Sequence, residues 1–174
     1  KLLMTEKGRA NQMNHGAKEA KYKYILFLHA DTLLNPSSLD SLIVEIESKN
    51  VLWGWFPIRL NNSRLIYRII ELFANLRARV TGTPLGDHAI FVRKDIFEKV
   101  GGYPDIPIME DLELVNKIKN IKKGMRVKSP VITSVRRFEN SGILRTFLKM
   151  WTLRILYFLG ISTQTLVRYY GDIR

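Results

Sequence analysis

A run of five apolar residues, Tyr24-Ile25-Leu26-Phe27-Leu28, constrains the fold more than any other stretch of this chain. A continuous apolar run of strand length fits a strand covered on both faces, as in a parallel sheet. Helix-length and strand-length patterns alternate around it. Residues 9–20 read as a helix that begins just after Gly8. Asn35-Pro36-Ser37-Ser38 reads as a turn into a second helix, with apolar positions at Leu39, Leu42, Ile43 and Ile46. The stretch 51–60 reads as a strand, and 64–80 as a helix whose polar positions recur at helical spacing. A short buried strand is predicted at 89–92, a brief helix at 94–100 closed by Gly101-Gly102, and a last strand at 131–135. Residues 111–123 read as a helix with acids at its start and lysines at its end, matching the helix dipole. Strands alternating with helices predict an α/β layered domain, with ligands beyond the carboxyl ends of the strands.

At 174 residues the chain is the size of one domain and long enough to bury a real core. The absence of cysteine excludes disulfides, thiolate metal sites and cysteine nucleophiles. The chain starts at Lys1 rather than Met and shows no signal peptide, so it is expected to be a fragment; a cytoplasmic location is expected separately. Its net charge of +12 is unevenly spread: residues 1–113 carry 15 basic and 14 acidic side chains, whereas 114–174 carry 13 basic and 2 acidic. A half-chain with that bias expects an anionic partner, whether membrane headgroups, nucleic acid or phosphorylated substrates. The bland alternative is a solubilising surface, which would not explain why the excess sits at one end.

Residues 143–161 are mostly Leu, Ile, Phe, Trp and Tyr, interrupted by Arg145, Lys149 and Arg154. That length could reach across a bilayer, but three spaced cations argue against spanning. An interfacial helix fits better, lying on the inner face of the membrane; a helix packed on the domain's own sheet is the alternative. The 64–80 helix has a similarly broad apolar face and would flank the same surface.

Two short acidic motifs sit at the edges of apolar segments: His29-Ala30-Asp31 and Glu110-Asp111. One carboxylate that binds a divalent cation, with a second free to take a proton, is the minimum equipment for moving a group from a nucleotide diphosphate to a hydroxyl. His29 and Asp31 alternate along an expected extended segment and so would project to one side. An oxygen-rich site with few protein ligands suits Mg²⁺ or Mn²⁺ bridging phosphates. A lone aspartate after a strand is also a common turn former, and Glu110 and Asp111 are equally what a helix N-terminus favours. Gly86-Asp87-His88 forms a loop before a strand, either a polar turn or part of a site lining. Arg136 and Arg137 follow the last strand, where they would neutralise a diphosphate by charge-assisted hydrogen bonds or simply face solvent.

Taken together and in order, Lys7-Gly8-Arg9-Ala10-Asn11-Gln12-Met13-Asn14, Phe27-Leu28-His29-Ala30-Asp31-Thr32, Gly86-Asp87-His88-Ala89-Ile90-Phe91-Val92-Arg93, Gly101-Gly102-Tyr103, Met109-Glu110-Asp111 and Arg136-Arg137-Phe138-Glu139 are carried by a familiar pattern. The chain resembles family 2 glycosyltransferases of GT-A fold over nearly all of residues 7–170. It looks most like the small bacterial subgroup known as radical-SAM/selenodomain-associated transferases. The resemblance implies a mixed, mainly parallel sheet flanked by helices, with residues 1–140 as the GT-A domain and 141–174 as a basic amphipathic helical tail of the same domain. It implies that Asp31 matches the last aspartate of the family's Asp-x-Asp metal motif. Asp111, beside Glu110, would be the general base of an inverting single displacement. Gly8 and Arg9 would belong to the loop beside the nucleotide, Arg136 and Arg137 to the basic motif near the diphosphate, and Gly86, Asp87 and His88 to the acceptor side. The implied partners are a nucleotide-diphospho-sugar donor and a hydroxyl or lipid-linked acceptor, with Mg²⁺ or Mn²⁺ as cofactor.

Two departures stand out. His29 replaces the motif's usual first aspartate, so metal binding is expected to rest on Asp31, with His29 helping or merely packing. The family's opening strand with Pro-x-x-Asn-Glu, and a second strand carrying an aspartate for the nucleotide, are not in the sequence. The chain is therefore expected to start about one βαβ unit late, roughly 30–45 residues, and to lack activity as written. A basic nucleic-acid-binding module is the second reading, with Phe138, Tyr169 and Tyr170 available for stacking. Against it, the C-terminal cations are embedded in a strongly apolar helix, so no nucleic acid is expected. A nonenzymatic membrane-surface module is the third.

Overall fold

The computed structural model describes residues 1–170; residues 171–174 of the expected tail lie outside the described residues. The chain opens with α1 (Arg9–Glu19), β1 (Tyr24–Phe27), β2 (Thr32–Leu33) and α2 (Pro36–Lys49). It continues through β3 (Trp53–Trp55), β4 (Ile58–Leu60), α3 (Leu65–Thr81), β5 (Ile90–Arg93) and α4 (Lys94–Lys99). After a loop come α5 (Glu110–Lys119), β6 (Met125–Arg126), β7 (Val131–Thr133), α6 (Arg136–Ser141), α7 (Ile143–Phe158) and α8 (Thr163–Tyr170). The result is an α/β protein of two small mixed sheets flanked by helices.

The larger sheet has the order β1-β5-β3-β6 and the smaller one β2-β7-β4. Three of the strand pairs, β1 with β5, β3 with β5 and β2 with β7, are antiparallel; β3 with β6 and β4 with β7 are parallel. The expected mainly parallel sheet is thus corrected to a mixed one. The apolar run at 24–28 pairs antiparallel with β5, because continuous apolarity reports cover on both faces and not strand direction.

Alternation along β5 divides the core. Ile90 and Val92 join Phe27, Trp53, Trp55 and the buried residues of α1, α4 and α5 on one face. Ala89 and Phe91 face the other side with Phe56, Ile58 and the Leu42 and Ile46 stripe of α2. Gly54 lies where β3 crosses this layer. A Cβ there would sit 2.2 Å from the Met125 carbonyl oxygen and 2.5 Å from the Phe91 ring, so only glycine lets β3, β5 and β6 close up.

The predicted strand at 51–60 is two strands in different sheets. Pro57 has no N–H to give a ladder, and the chain changes sheets there: Phe56 N–H donates to the His88 carbonyl at 2.8 Å, and the Pro57 carbonyl accepts from Val131 N–H at 2.9 Å. The side chains of α3 then complete the edge of β4. Asn75 donates to and accepts from the Ile58 backbone, both at 2.9 Å, and buried Glu71 accepts from Leu60 N–H while held by Arg68 at 2.7 Å.

The start of α2 follows its sequence signal. Asn35 caps the helix by accepting from Ser37 N–H at 3.1 Å, with Pro36 in the first turn, a cap worth about 1 kcal/mol. The tail packs on the loop before α5: Leu153 and Leu166 cluster with Ile108 and, at the edge, Met109. No helix among the described residues is long and apolar enough to cross a membrane.

Candidate active site

The His29 turn, the Gly86 turn and the start of α5 meet at Arg9 or at its partner Asp111. Gly8 opens α1 with φ of 147°, a backbone conformation suited to glycine, and its carbonyl accepts from Gln12 N–H at 3.0 Å. The next residue, Arg9, projects from the first helical position to three partners. Its guanidinium lies 2.9 Å from His29 Nε2, 3.2 Å from Asp111 Oδ2 and 3.3 Å from Glu110 Oε1. Since arginine only donates, His29 Nε2 is the acceptor and the imidazole proton sits on Nδ1. Burial and the Arg9 charge lower the His29 pKa, against the pull of Asp111, Asp87 and Asp31, so the ring is neutral near pH 7.

The two acids open α5 and both are buried. Met109 before them has φ of 70°, in the left-handed region that a non-glycine residue occupies at a cost of about 1–2 kcal/mol. The Ile108, Leu153 and Leu166 cluster packs against that turn and holds it. Asp111 Oδ2 accepts from Gly86 N–H at 3.0 Å as well as from Arg9. Its other oxygen, Oδ1, is buried with no hydrogen-bond partner. Burial and the neighbouring Asp111 charge push Glu110 up to about 7, with Arg9 opposing. One carboxylate of the pair therefore carries a proton near neutrality while the other has an acceptor oxygen to spare.

Gly86–His88 forms a single 3-10 turn. A Cβ on Gly86 would stand 2.4 Å from His29 Nε2 and 2.5 Å from Asp111 Oδ2, so the turn approaches the acids only because residue 86 has no side chain. His88 is fully buried and donates from Nδ1 to the Phe56 carbonyl at 3.2 Å. Its Nε2 lies 3.9 Å from Asp87 Oδ1 and has no hydrogen-bond partner. Asp87 is drawn two ways: burial raises its pKa, but His88, Arg77, His29 and Arg154 together bring it below its ordinary value.

Asp31 is exposed, and it stands in a tight turn where Thr32 N–H donates to the His29 carbonyl at 3.0 Å. The expected extended segment with His29 and Asp31 alternating to one side is thereby corrected: a turn, not a strand, links them. The Asp31 carbonyl accepts from Ser134 N–H at 3.0 Å, which brings the 134–137 segment against this turn. Arg136 is exposed, with its N–H donating to Ser134 Oγ at 3.2 Å. Arg137 lies over the Tyr170 ring at 5.7 Å, and Tyr170 is among the groups that raise the Arg9 pKa, behind the lowering effect of burial and the larger pulls of Asp111 and Glu110.

Tyr103 was not among the expected site residues. Its ring packs edge-on against Phe27 at 5.0 Å, and its buried hydroxyl has no hydrogen-bond partner. Burial, then the charges of Asp111 and Glu110, raise its pKa well above the usual phenol value. Asn14 pins the Tyr103 backbone through both of its amide atoms, at 2.8 and 2.9 Å. The pairing of Asn14 with Gly102-Tyr103 is carried by residues eighty-odd positions apart, so no local sequence signal announces it. Arg77 and Arg154, which flank Asp87 electrostatically, were equally hidden.

A cavity of about 610 Å³ between α1 and the outer edge of β1 opens at Arg9 and His29. Among the described residues no group of three or more His, Asp or Glu side chains is placed to hold a metal ion. A Mg²⁺ or Mn²⁺ that arrives with phosphates needs only one or two carboxylates and keeps several waters. The exposed Asp31 carboxylate fits that demand, whereas His29 Nε2 is engaged by Arg9.

The model of the family described as Glycosyl transferase family 2 matches residues 2–101. The matched span takes in Arg9, His29, Asp31 and the Gly86–His88 turn, and ends before Glu110, Asp111 and the arginine pair. It distinguishes no subgroup within the family, and no curated protein matches the chain. Matched over more than half its length and folded as an α/β protein of mixed sheets, the chain belongs to glycosyl transferase family 2, a family of sugar-transferring enzymes for which a GT-A fold is implied.

Proposed function

We propose that this protein transfers a sugar from a nucleotide-diphospho-sugar to a hydroxyl of a soluble or lipid-linked acceptor by an inverting single displacement. The observation that carries this reading is the asymmetry of Asp111. One oxygen is fixed by Gly86 N–H and Arg9, and the other is buried with no partner. A carboxylate held in that way is aimed, and its free oxygen is the natural acceptor for the proton of an attacking hydroxyl. A positioned base of this kind contributes about 10²–10⁴-fold to rate.

Glu110 next to it keeps its proton to about pH 7, which limits the negative charge facing an incoming diphosphate. Arg9 rests on both acids with its guanidinium half-exposed, so it is the cation nearest the site that an anionic donor can recruit. Arg136 and Arg137 would bind the same diphosphate, a role supported by the hydrogen bonds that tie their segment to the Asp31 turn through Ser134. Gly8 and the Gly86-Asp87-His88 turn set the backbone on either side, the second of these facing the acceptor with Asp87 as its only partly exposed side chain. Family members typically use a divalent cation, and Asp31 would hold it; when bound, Mg²⁺ or Mn²⁺ neutralises charge on the departing diphosphate. A ligand role for His29 requires that Arg9 first release Nε2. No covalent intermediate is involved, so the residues need only align, deprotonate and neutralise. The protein is placed in the cytoplasm by this reading, where nucleotide sugars are made.

The test is release of UDP or GDP from a panel of sugar nucleotides with Mn²⁺ and hydroxyl acceptors, using the full-length protein. Asp111→Asn is expected to reduce transfer by at least about 100-fold while donor binding stays near normal. Near-normal turnover by Asp111→Asn would remove the base assignment.

A further inference from the structure

Helices α3 and α7 lie side by side on one flank of the molecule. Tyr67 and Ile70 near the start of α3 share one hydrophobic cluster with Val135, Phe138 and, from the first turns of α7, Ile143 and Phe147. Further along, Arg77 of α3 and Arg154 of α7 come close enough to repel one another. Each helix buries one side against the body, through Tyr67, Ile70, Glu71 and Ala78 in α3 and Thr146 and Leu153 in α7.

The opposite sides are apolar as well. On α3 the outward line is Leu65, Ile69, Leu72 and Leu76, at steps of four, three and four residues; Leu72 is 64% exposed. On α7 it is Leu144, Leu148, Trp151, Ile155 and Phe158, with Leu144 69% exposed. No polar side chain interrupts either line. A water-facing helix normally turns charge outward; here two adjacent ones do the reverse, over about 25 Å of helix. A contiguous exposed patch beyond about 400 Å² marks an interaction surface.

The margins of the patch identify what covers it. Arg64 and Arg79 flank the α3 line, and Arg145 and Arg154 the α7 line, with Arg154 stacked on Trp151 at 5.4 Å. Among the described residues none of these four is in an ion pair. The one acid on the two helices, Glu71, is buried and already held by Arg68. A second copy of the chain would set these unpaired cations against their own kind. An arginine rim around uninterrupted apolar lines calls for an occupant that is anionic at its surface and apolar beneath, as a bilayer is. We infer that the α3–α7 face docks in the plane of an anionic lipid bilayer, its leucine, phenylalanine and tryptophan side chains among the acyl chains and its arginines at the headgroups. This stands whether or not the acids at α5 perform sugar transfer. If they do, it brings the Asp87 side of the site, bordered by Arg77 and Arg154, to the lipid surface, where a lipid-linked acceptor would arrive.

The experiment is co-sedimentation of the full-length protein with phosphatidylcholine vesicles, with and without phosphatidylglycerol, at low and high salt. Binding is expected with phosphatidylglycerol, and at least about tenfold weaker without it or at high salt. Emission from Trp151 is expected to shift to the blue on binding, since Trp53 and Trp55 are already buried. Leu72→Glu with Leu148→Glu should release the protein from vesicles with an unchanged circular-dichroism spectrum. Should that pair unfold the chain, Arg79→Gln with Arg145→Gln carries the test by lowering affinity for phosphatidylglycerol vesicles alone. No sedimentation with anionic vesicles, binding indifferent to both pairs of substitutions, or a vesicle-independent dimer that Leu72→Glu and Leu148→Glu dissociate would overturn the inference.

Discussion

Glu110 is the residue whose chemistry is most exposed to measurement. Its carboxyl titrates at about 7 in the folded protein against an ordinary 4.5, because burial and the Asp111 charge disfavour ionisation. A carboxyl raised in this way stabilises the fold fully below about pH 4.5, and that stabilisation is lost as pH rises through 7. Above pH 7 the folded protein carries the buried charge at a cost of up to roughly 3 kcal/mol. Glu110→Gln keeps the shape and removes the charge. Its melting temperature is therefore expected to exceed that of the wild type most at pH 8, with the difference shrinking toward pH 5. A difference that is the same at both pH values would show that Glu110 is not held protonated near neutrality. Arg9 tempers the effect without reversing it, since its guanidinium faces both acids at once.

At the scale of elements, the two glycines that permit close approach make opposite predictions. Gly86→Ala would drive a methyl into His29 and Asp111 and displace the base, so kcat is expected to fall about 100-fold with little change in melting temperature. Gly54→Ala instead meets the Met125 backbone inside the sheet, and loses stability by about 3 kcal/mol or more by chemical denaturation. A Gly54→Ala protein as stable as wild type would contradict the packing described for β3, β5 and β6. Part of the element order was legible beforehand because some helices carried their own signal: Asn35-Pro36 before α2, acids first and lysines last in α5; α6 and α8 carried none that was read. What was illegible depended on distant partners. The 51–60 stretch is apolar but for Arg59, and its neighbours Val131 and His88 show that Pro57 divides it between sheets. β2 and β6 are two residues each, too short to show alternation, and exist because β7 and β3 pair with them. The candidate site was legible as a set of motifs, but not the turn at His29–Thr32 or the place of Tyr103, which tertiary hydrogen bonds decide.

Across the whole molecule, the C-terminal helices connect a surface to a site. Leu153 and Leu166 brace the Met109 turn that aims Glu110 and Asp111, while the outward side of α7 joins α3 in an apolar face rimmed by arginine. On the proposed reading, the +11 bias of residues 114–174 would supply Arg145 and Arg154 to the lipid-facing flank and Arg136 and Arg137 to the anionic donor. In the proposed reaction Asp31 and Asp111 divide the work, one for the metal on the donor and one for the acceptor proton. Calorimetric titration of the full-length protein with UDP and GDP, with Mn²⁺ and with chelator, tests it most directly. One of the nucleotides is expected to bind only with Mn²⁺, at least about tenfold more weakly to Asp31→Asn, and undiminished to Asp111→Asn. Binding that ignores both the metal and Asp31, or no binding at all with Mn²⁺ present, would contradict the claim.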